Sequence, residues 1–263
     1  AFRPAGGSAS GKAGPEHHIQ PLAWRFQIDQ EDVGVHEGWF ESAFDRTDWR
    51  EVTVPGAWDM YETALRGYQG VGWYCASFNG STSLLHRTIL NFEGVGGRCW
   101  VWINGCLAAT NQTRYLPFAV DAQPFVHKAG EPSDACPEAT QQRCRRHGRD
   151  TVVVKVDNRP QGTAALPGSE TIEWVLYGGL IHAVTCAVVP ACRIERLIIR
   201  SVPAGTGAKV DVEAELINDG PDDFRGEIHL EVVERDGAGR DATAEDRSRE
   251  PASERASSSV VIS

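Results

Sequence analysis

The stretch Cys99-Trp100-Val101-Trp102-Ile103-Asn104-Gly105 decides the fold class. Successive side chains of an extended chain point to opposite sides, so Cys99, Val101 and Ile103 share one face and Trp100 and Trp102 share the other. Asn104-Gly105 follows at once, a dipeptide suited to the positive backbone angles of a two-residue hairpin turn. A hairpin from Trp100 to Leu107 is therefore expected. Farther along, Val152, Val154 and Val156 alternate in the same way, and the run ends at Asp157-Asn158 before Pro160, which cannot donate to a sheet ladder. From Trp24 to Pro190 the apolar residues keep this period of two, the pattern of half-buried strands in an antiparallel sandwich. The segment from His127 to Asp150 breaks it, being rich in Pro, Gly, Gln, Arg and Cys, and reads as an insertion loop. After Pro190 the alternation restarts, with Val210, Val212, Ala214 and Leu216 set against Asp211, Glu213 and Glu215, and Ile228, Leu230 and Val232 set against Glu227, His229 and Glu231.

Composition agrees with an all-β chain. The 263 residues are enough for one large or two ordinary domains, and 41% hydrophobic content is ordinary for a globular protein. Its Gly, Trp, Val and Thr usage, with one Met and few long Ala/Leu/Glu/Lys runs, favours strands over helices. A net charge of -10 disfavours nucleic acid as a partner, because phosphate binding needs a basic face. No apolar run approaches the roughly 18 residues of a membrane-spanning helix, so no membrane partner is expected. Residues 1–20 are rich in Gly, Ser and Ala, lack the apolar core of a secretory signal and read as a disordered leader. The compartment is left open.

Seven cysteines, at 75, 99, 106, 136, 144, 186 and 192, show no zinc-type CxxC pair, and buried free thiols are the first expectation. In an oxidising compartment Cys136 with Cys144, or Cys186 with Cys192, would close small loops. Asn79-Gly80-Ser81 and Asn111-Gln112-Thr113 are glycosylation tripeptides of a kind that is common by chance. Nucleophile elbows, HExxH and phosphate-loop signatures are missing, so neither metal nor cofactor is expected.

Four aromatic-rich segments, in order, carry a family resemblance: Gly67-Tyr68-Gln69-Gly70-Val71-Gly72-Trp73-Tyr74, Phe92-Glu93-Gly94-Val95, Trp100-Val101-Trp102-Ile103-Asn104-Gly105, and Trp174-Val175-Leu176-Tyr177-Gly178-Gly179-Leu180. Tyr115-Leu116-Pro117-Phe118 and Val153-Val154-Lys155-Val156-Asp157-Asn158 lie between them. Their order and spacing resemble the sugar-binding domain that opens the glycoside hydrolase family 2 enzymes, the β-galactosidases, β-glucuronidases and β-mannosidases. The resemblance implies a galactose-binding-like jelly-roll β-sandwich over 21–190, then an incomplete immunoglobulin-like β-sandwich over 191–263, the whole being the non-catalytic N-terminal part of a longer enzyme. It implies as partners a terminal β-linked sugar and a catalytic barrel, and leaves a homo-oligomer open. In such enzymes hydrolysis uses two glutamates on the barrel, which this chain does not include, so no catalytic residue is assigned here.

Within the resemblance, Glu173 takes the position of the family's sugar-binding acid, usually Asp; its two oxygens suit adjacent sugar hydroxyls. Where the family has a Gly-Gly-Tyr turn this chain reads Thr113-Arg114-Tyr115, and Asn111 with Arg114 offers further polar contacts to a sugar. Among the aromatics, Trp39, Trp49, Trp58, Tyr68, Trp73, Trp100 and Trp102 read as core more readily than as sugar platforms, and Tyr68 and Trp73 as packing toward the barrel. A free-standing carbohydrate-binding module and a β-sandwich interaction protein are the alternatives.

Overall fold

The computed structural model describes residues 3–4, 18–126, 149–160, 176–204, 207–223, 226–231 and 257–262. Its strands, in chain order, are β1 (Arg3–Pro4), β2 (His18–Gln20), β3 (Trp24–Asp29), β4 (Arg50–Val52), β5 (Val71–Phe78), β6 (His86–Phe92), β7 (Arg98–Ile103), β8 (Cys106–Asn111), β9 (Phe118–Asp121), β10 (Asp150–Asp157), β11 (Val184–Pro190), β12 (Cys192–Ala204), β13 (Gly207–Asn218), β14 (Gly226–Glu231) and β15 (Ser257–Ile262). Three short 3-10 turns complete the regular structure of the described residues, which contain no α-helix. The chain is all-β.

Two compact units emerge, one spanning His17–Gly220 and the other made of Ala1–Glu16 with Pro221–Ser263. In the larger, a six-stranded sheet of order β4-β3-β5-β10-β7-β8 faces a four-stranded sheet of order β2-β11-β6-β9, and every pairing in both is antiparallel. Between the layers lie Trp24, Phe26, Tyr74, Phe78, Val101, Ile103, Val152, Val154 and Val156 from the first sheet, with Leu90, Phe92, Val120, Val184 and Cys186 from the second. Val101, Ile103, Val152, Val154 and Val156 among them are the alternating positions that the sequence assigns to one face.

The Asn104-Gly105 turn forms as expected, with φ of 51° and 82° and Ile103 opposite Cys106. Its asparagine has a second use. Asn104 Nδ2 donates to the Phe125 carbonyl and to Asp150 Oδ1, both at 2.8 Å, while its Oδ1 accepts from Thr151 N–H at 2.9 Å, so the hairpin is bolted to the start of β10.

The outer face of the six-stranded sheet is also apolar, and residues 33–49 cover it. Trp49, Val71, Trp73, Trp102 and Val153 form a second core, with Trp39, Phe40 and Phe44 packed on it. Trp102 stacks on Trp73 and on Phe40, each pair with ring centroids 5.3 Å apart. Trp73 is fully buried here and its indole N–H donates to Asp29 Oδ2 at 2.9 Å, which corrects the expectation that this ring packs toward a barrel. Tyr68, half-buried, lies edge-on against Trp58.

β12 and β13 pair as a long two-stranded ribbon and belong to the larger unit, beyond the boundary drawn at residue 190. The ribbon's base is tied down by Ala191 N–H to the Leu85 carbonyl, Asp219 N–H to the Ala191 carbonyl, and Arg193 with Asp219 at 2.8 Å. The smaller unit contains a three-stranded antiparallel sheet, β1-β14-β15. Arg3–Pro4 and His18–Gln20, read in the sequence as part of a leader, are thus short edge strands. The insertion at 127–150 lies outside the described residues apart from Arg149 and Asp150, the latter opening β10.

Among the cysteines, Cys75, Cys99, Cys186 and Cys192 are free thiols, so the Cys186–Cys192 closure is not made. Burial pushes Cys186 up to about 11 and Cys99 to about 12, leaving both unreactive. Cys106, expected as a thiol, is instead disulfide-bonded. Cys136 and Cys144 lie outside the described residues.

Candidate functional site

Residues 67–71, 94–98 and 176–180 of the family-like segments gather at one end of the sandwich, where β10 finishes and β5 and β7 meet it at Val71 and Arg98. Their glycines are there because nothing larger fits. A Cβ on Gly178 would lie 2.0 Å from the Trp58 ring, and one on Gly179, whose φ is +110°, would lie 2.3 Å from the Tyr74 hydroxyl. Gly96 abuts the Tyr177 carbonyl and Gly97 the Asp157 carbonyl, so the 94–97 turn lies flush against both neighbouring segments. Backbone bonds seal the arrangement: Trp58 N–H to Gly178 O, Gly56 N–H to Leu180 O, Gly96 N–H to Gly179 O, and Tyr115 N–H to Val95 O, at 2.8–3.1 Å.

Asn158 is the hub. Fully buried, it accepts from Gly70 N–H at 2.8 Å through Oδ1 and donates through Nδ2 to the carbonyls of Tyr68 and Leu176, each at 3.0 Å. One amide thereby ties together three segments, and its own carbonyl takes Arg114 Nη2 at 2.9 Å. Arg114 also caps the Arg159 carbonyl at 3.0 Å and is only 9% exposed, with Nε and Nη1 buried and unpartnered. Such a guanidinium works as a brace for the chain turn after β10.

A charge network surrounds the hub. Asp157 accepts from Arg98 at 2.7 Å and from Arg159 through both carboxylate oxygens, and Asp32 takes Lys155 at 2.5 Å and Arg159 at 2.7 Å. Burial raises the Asp157 carboxyl, but hydrogen bonds from the Arg159 side chain and backbone and from Arg98 overcome it and hold the group below the ordinary carboxylate value. Asp32 is lowered in the same way, burial being outweighed by Lys155 and Arg159. Both acids stay ionised and paired. A glycosidase acid needs the opposite, a carboxyl raised toward neutrality.

Of the three site residues expected from the sequence, the structure places two. Asn111 ends β8, and its Oδ1 accepts from Thr113 N–H at 2.8 Å and from the Thr113 hydroxyl at 2.5 Å, shaping the turn that carries Arg114. Tyr115 follows with a φ of 65°, a left-handed conformation that costs a residue with a Cβ. Glu173 lies outside the described residues, three positions before Leu176, whose carbonyl Asn158 holds. Beyond it, Tyr177 and Leu116 are more than half exposed, on the segments that flank the 94–96 turn. In the sequence Asn158 stands out only as a strand end, and Asp32 and Arg159 carry no signal; the Asp-Asn pair closing an alternating strand is the one available cue.

Residues 21–135 match the family model described as glycosyl hydrolases family 2, sugar binding domain. Over these residues the chain is similar to a family 2 sugar-binding domain. Two Formosa agariphila proteins named provisionally as β-glucuronidases are similar in sequence. One is 29% identical over 126 residues, covering 43% of this chain and 10% of that protein; the other is 26% identical over 182 residues, covering 66% and 19%. The fold recurs in solved structures. A β-glucuronidase from an uncultured Clostridium species aligns with a TM-score of 0.62 at 20% identity, over 85% of this chain and 38% of that one. A Lactobacillus rhamnosus β-glucuronidase gives 0.61 at 22% identity, over 84% and 36%. The chain thus spans a fifth or less of these curated relatives and under two fifths of these solved structures.

Proposed function

We propose that this chain is the non-catalytic N-terminal region of a family 2 glycoside hydrolase acting on β-glycosides, shaping one wall of the sugar pocket and docking a catalytic barrel. The observation that carries the reading is the Asn158 hub, which fixes the Leu176 carbonyl three positions after Glu173. In this reading Glu173 meets the terminal sugar, accepting hydrogen bonds from adjacent hydroxyls. Arg114 and Asn111 serve the same site from behind, one bracing the turn after β10 and the other shaping the turn that presents Tyr115 and Leu116. Leu116 and Tyr177, both exposed, offer an apolar edge suited to the barrel. The β12–β13 ribbon and the strands after it are proposed as the start of an immunoglobulin-like sandwich.

Bond cleavage in this scheme falls to the barrel. The rim carboxylates described above are neutralised by arginine and lysine, which leaves neither a proton donor nor a free nucleophile among them. The β-glucuronidase names of the relatives make a β-glucuronide the first substrate to try. Incubating the isolated chain with aryl β-glucuronides, β-galactosides and β-mannosides is expected to give no turnover. Hydrolysis that disappears when an acid of this chain is substituted contradicts the proposal.

A further inference from the structure

The two glycosylation tripeptides are treated in opposite ways by the fold. Asn111 turns its side chain inward: Oδ1 is engaged by Thr113, and Nδ2, the atom a glycan would join, is buried. Asn79 turns outward. Its backbone is clamped by Gln20, whose Nε2 donates to the Asn79 carbonyl at 2.8 Å and whose Oε1 accepts from Asn79 N–H at 3.1 Å, while the exposed side-chain amide bonds to none of the described residues. The rest of the tripeptide is equally well held. Gly80 N–H donates to Asp150 Oδ2, a Cβ on Gly80 would lie 2.3 Å from Val126, Ser81 N–H donates to the Thr88 hydroxyl at 2.9 Å, and the Ser81 carbonyl accepts from Gln123 at 2.7 Å. A rigid backbone thus presents a free amide to solvent.

A second observation is independent of the first. Cys106 is disulfide-bonded, a state that persists in oxidising compartments such as the secretory route, where asparagine glycosylation also takes place.

We propose that Asn79 is the acceptor of an N-linked glycan and that Asn111 is not. The donor is an oligosaccharide carried on a polyprenyl diphosphate. Asn79 Nδ2 forms a bond to the anomeric carbon of the sugar, the bond from that carbon to the diphosphate oxygen breaks, the lipid diphosphate leaves with the electron pair, and the amide gives up one proton. Position favours the modification too. Asn79 follows the Phe78 end of β5, opposite Asp150, whereas the rim residues gather at the Val71 end, about 25 Å away along an eight-residue strand. A glycan there stands clear of the proposed sugar pocket.

Secretion of the chain from a eukaryotic host, followed by intact-mass measurement before and after peptide N-glycosidase treatment, tests the assignment. One glycan is expected, lost in both Asn79→Gln and Ser81→Ala and retained in Asn111→Gln. Ser81→Ala leaves the Asn79 amide in place, so its loss of the glycan separates sequon recognition from misfolding. An unmodified wild-type mass, two glycans, or a glycan lost in Asn111→Gln overturns the proposal.

Discussion

At the scale of single residues, the rim is governed by two kinds of tight fit. Glycines 178 and 179 exist to let Trp58 and Tyr74 reach the backbone, and Asn158 exists to satisfy backbone groups that no strand pairs. The glycine pair was legible in the sequence as a motif, but its cause was not, because Trp58 and Tyr74 lie more than a hundred residues earlier. Asn158 was harder still, since its partners at Gly70 and Tyr68 are 88 and 90 positions away. Substituting Gly178 by Ala places a methyl group inside the van der Waals envelope of a fully buried indole, and overpacking of this sort costs about 1–3 kcal/mol. Urea unfolding of Gly178→Ala is expected to show that loss. A variant as stable as wild type would mean that the Trp58 contact is loose.

At the scale of elements, β10 shows how far alternation reaches. Val152, Val154 and Val156 were readable as the inner face, and they are; Val153 and Lys155 face outward, where a second layer covers them. That layer was not legible. Trp39, Phe40, Phe44 and Trp49 follow no strand period, and their burial depends on the turn at Asp29–Gly34, where Asp29 accepts from Val33 N–H, Gly34 N–H and Trp73 Nε1 at 2.9 Å each. The end of β10 is linked to the same turn through Asp32, Lys155, Arg159 and Asp157. Because Asp32 and Asp157 titrate below the ordinary value of 3.8 in the folded chain, their stabilisation is fully present above that pH and is lost as pH falls through the lowered values. Arg159→Ala is therefore expected to lower unfolding free energy by about 1 kcal/mol at roughly pH 5 and above, the pairs being partly exposed and screened. The gap to wild type should close on acidification, and a gap that is independent of pH contradicts the network's role.

At the scale of the whole molecule, the all-β class and the antiparallel sandwich were legible because a period of two recurs in strand after strand between Trp24 and Pro190, interrupted at residues 33–49 and 127–150. In the long β12–β13 ribbon, β13 was legible as alternation as well, while β12 was not. The ribbon's attachment to the larger unit was not legible, because that depends on Ala191 and Asp219 meeting Leu85 and Arg193. The disulfide at Cys106 escaped the sequence for a related reason: cysteine spacing does not fix pairing. What the molecule is proposed to contribute is a recognition wall, with chemistry supplied from elsewhere. Steady-state hydrolysis of aryl β-glucuronides and related β-glycosides by the complete, barrel-bearing enzyme, compared between wild type and Glu173→Gln, tests that claim most directly. A fall in kcat/KM of about tenfold or more, the loss of roughly 1.4 kcal/mol of charge-assisted hydrogen bonding, is predicted. Kinetics identical to wild type across the panel would contradict it.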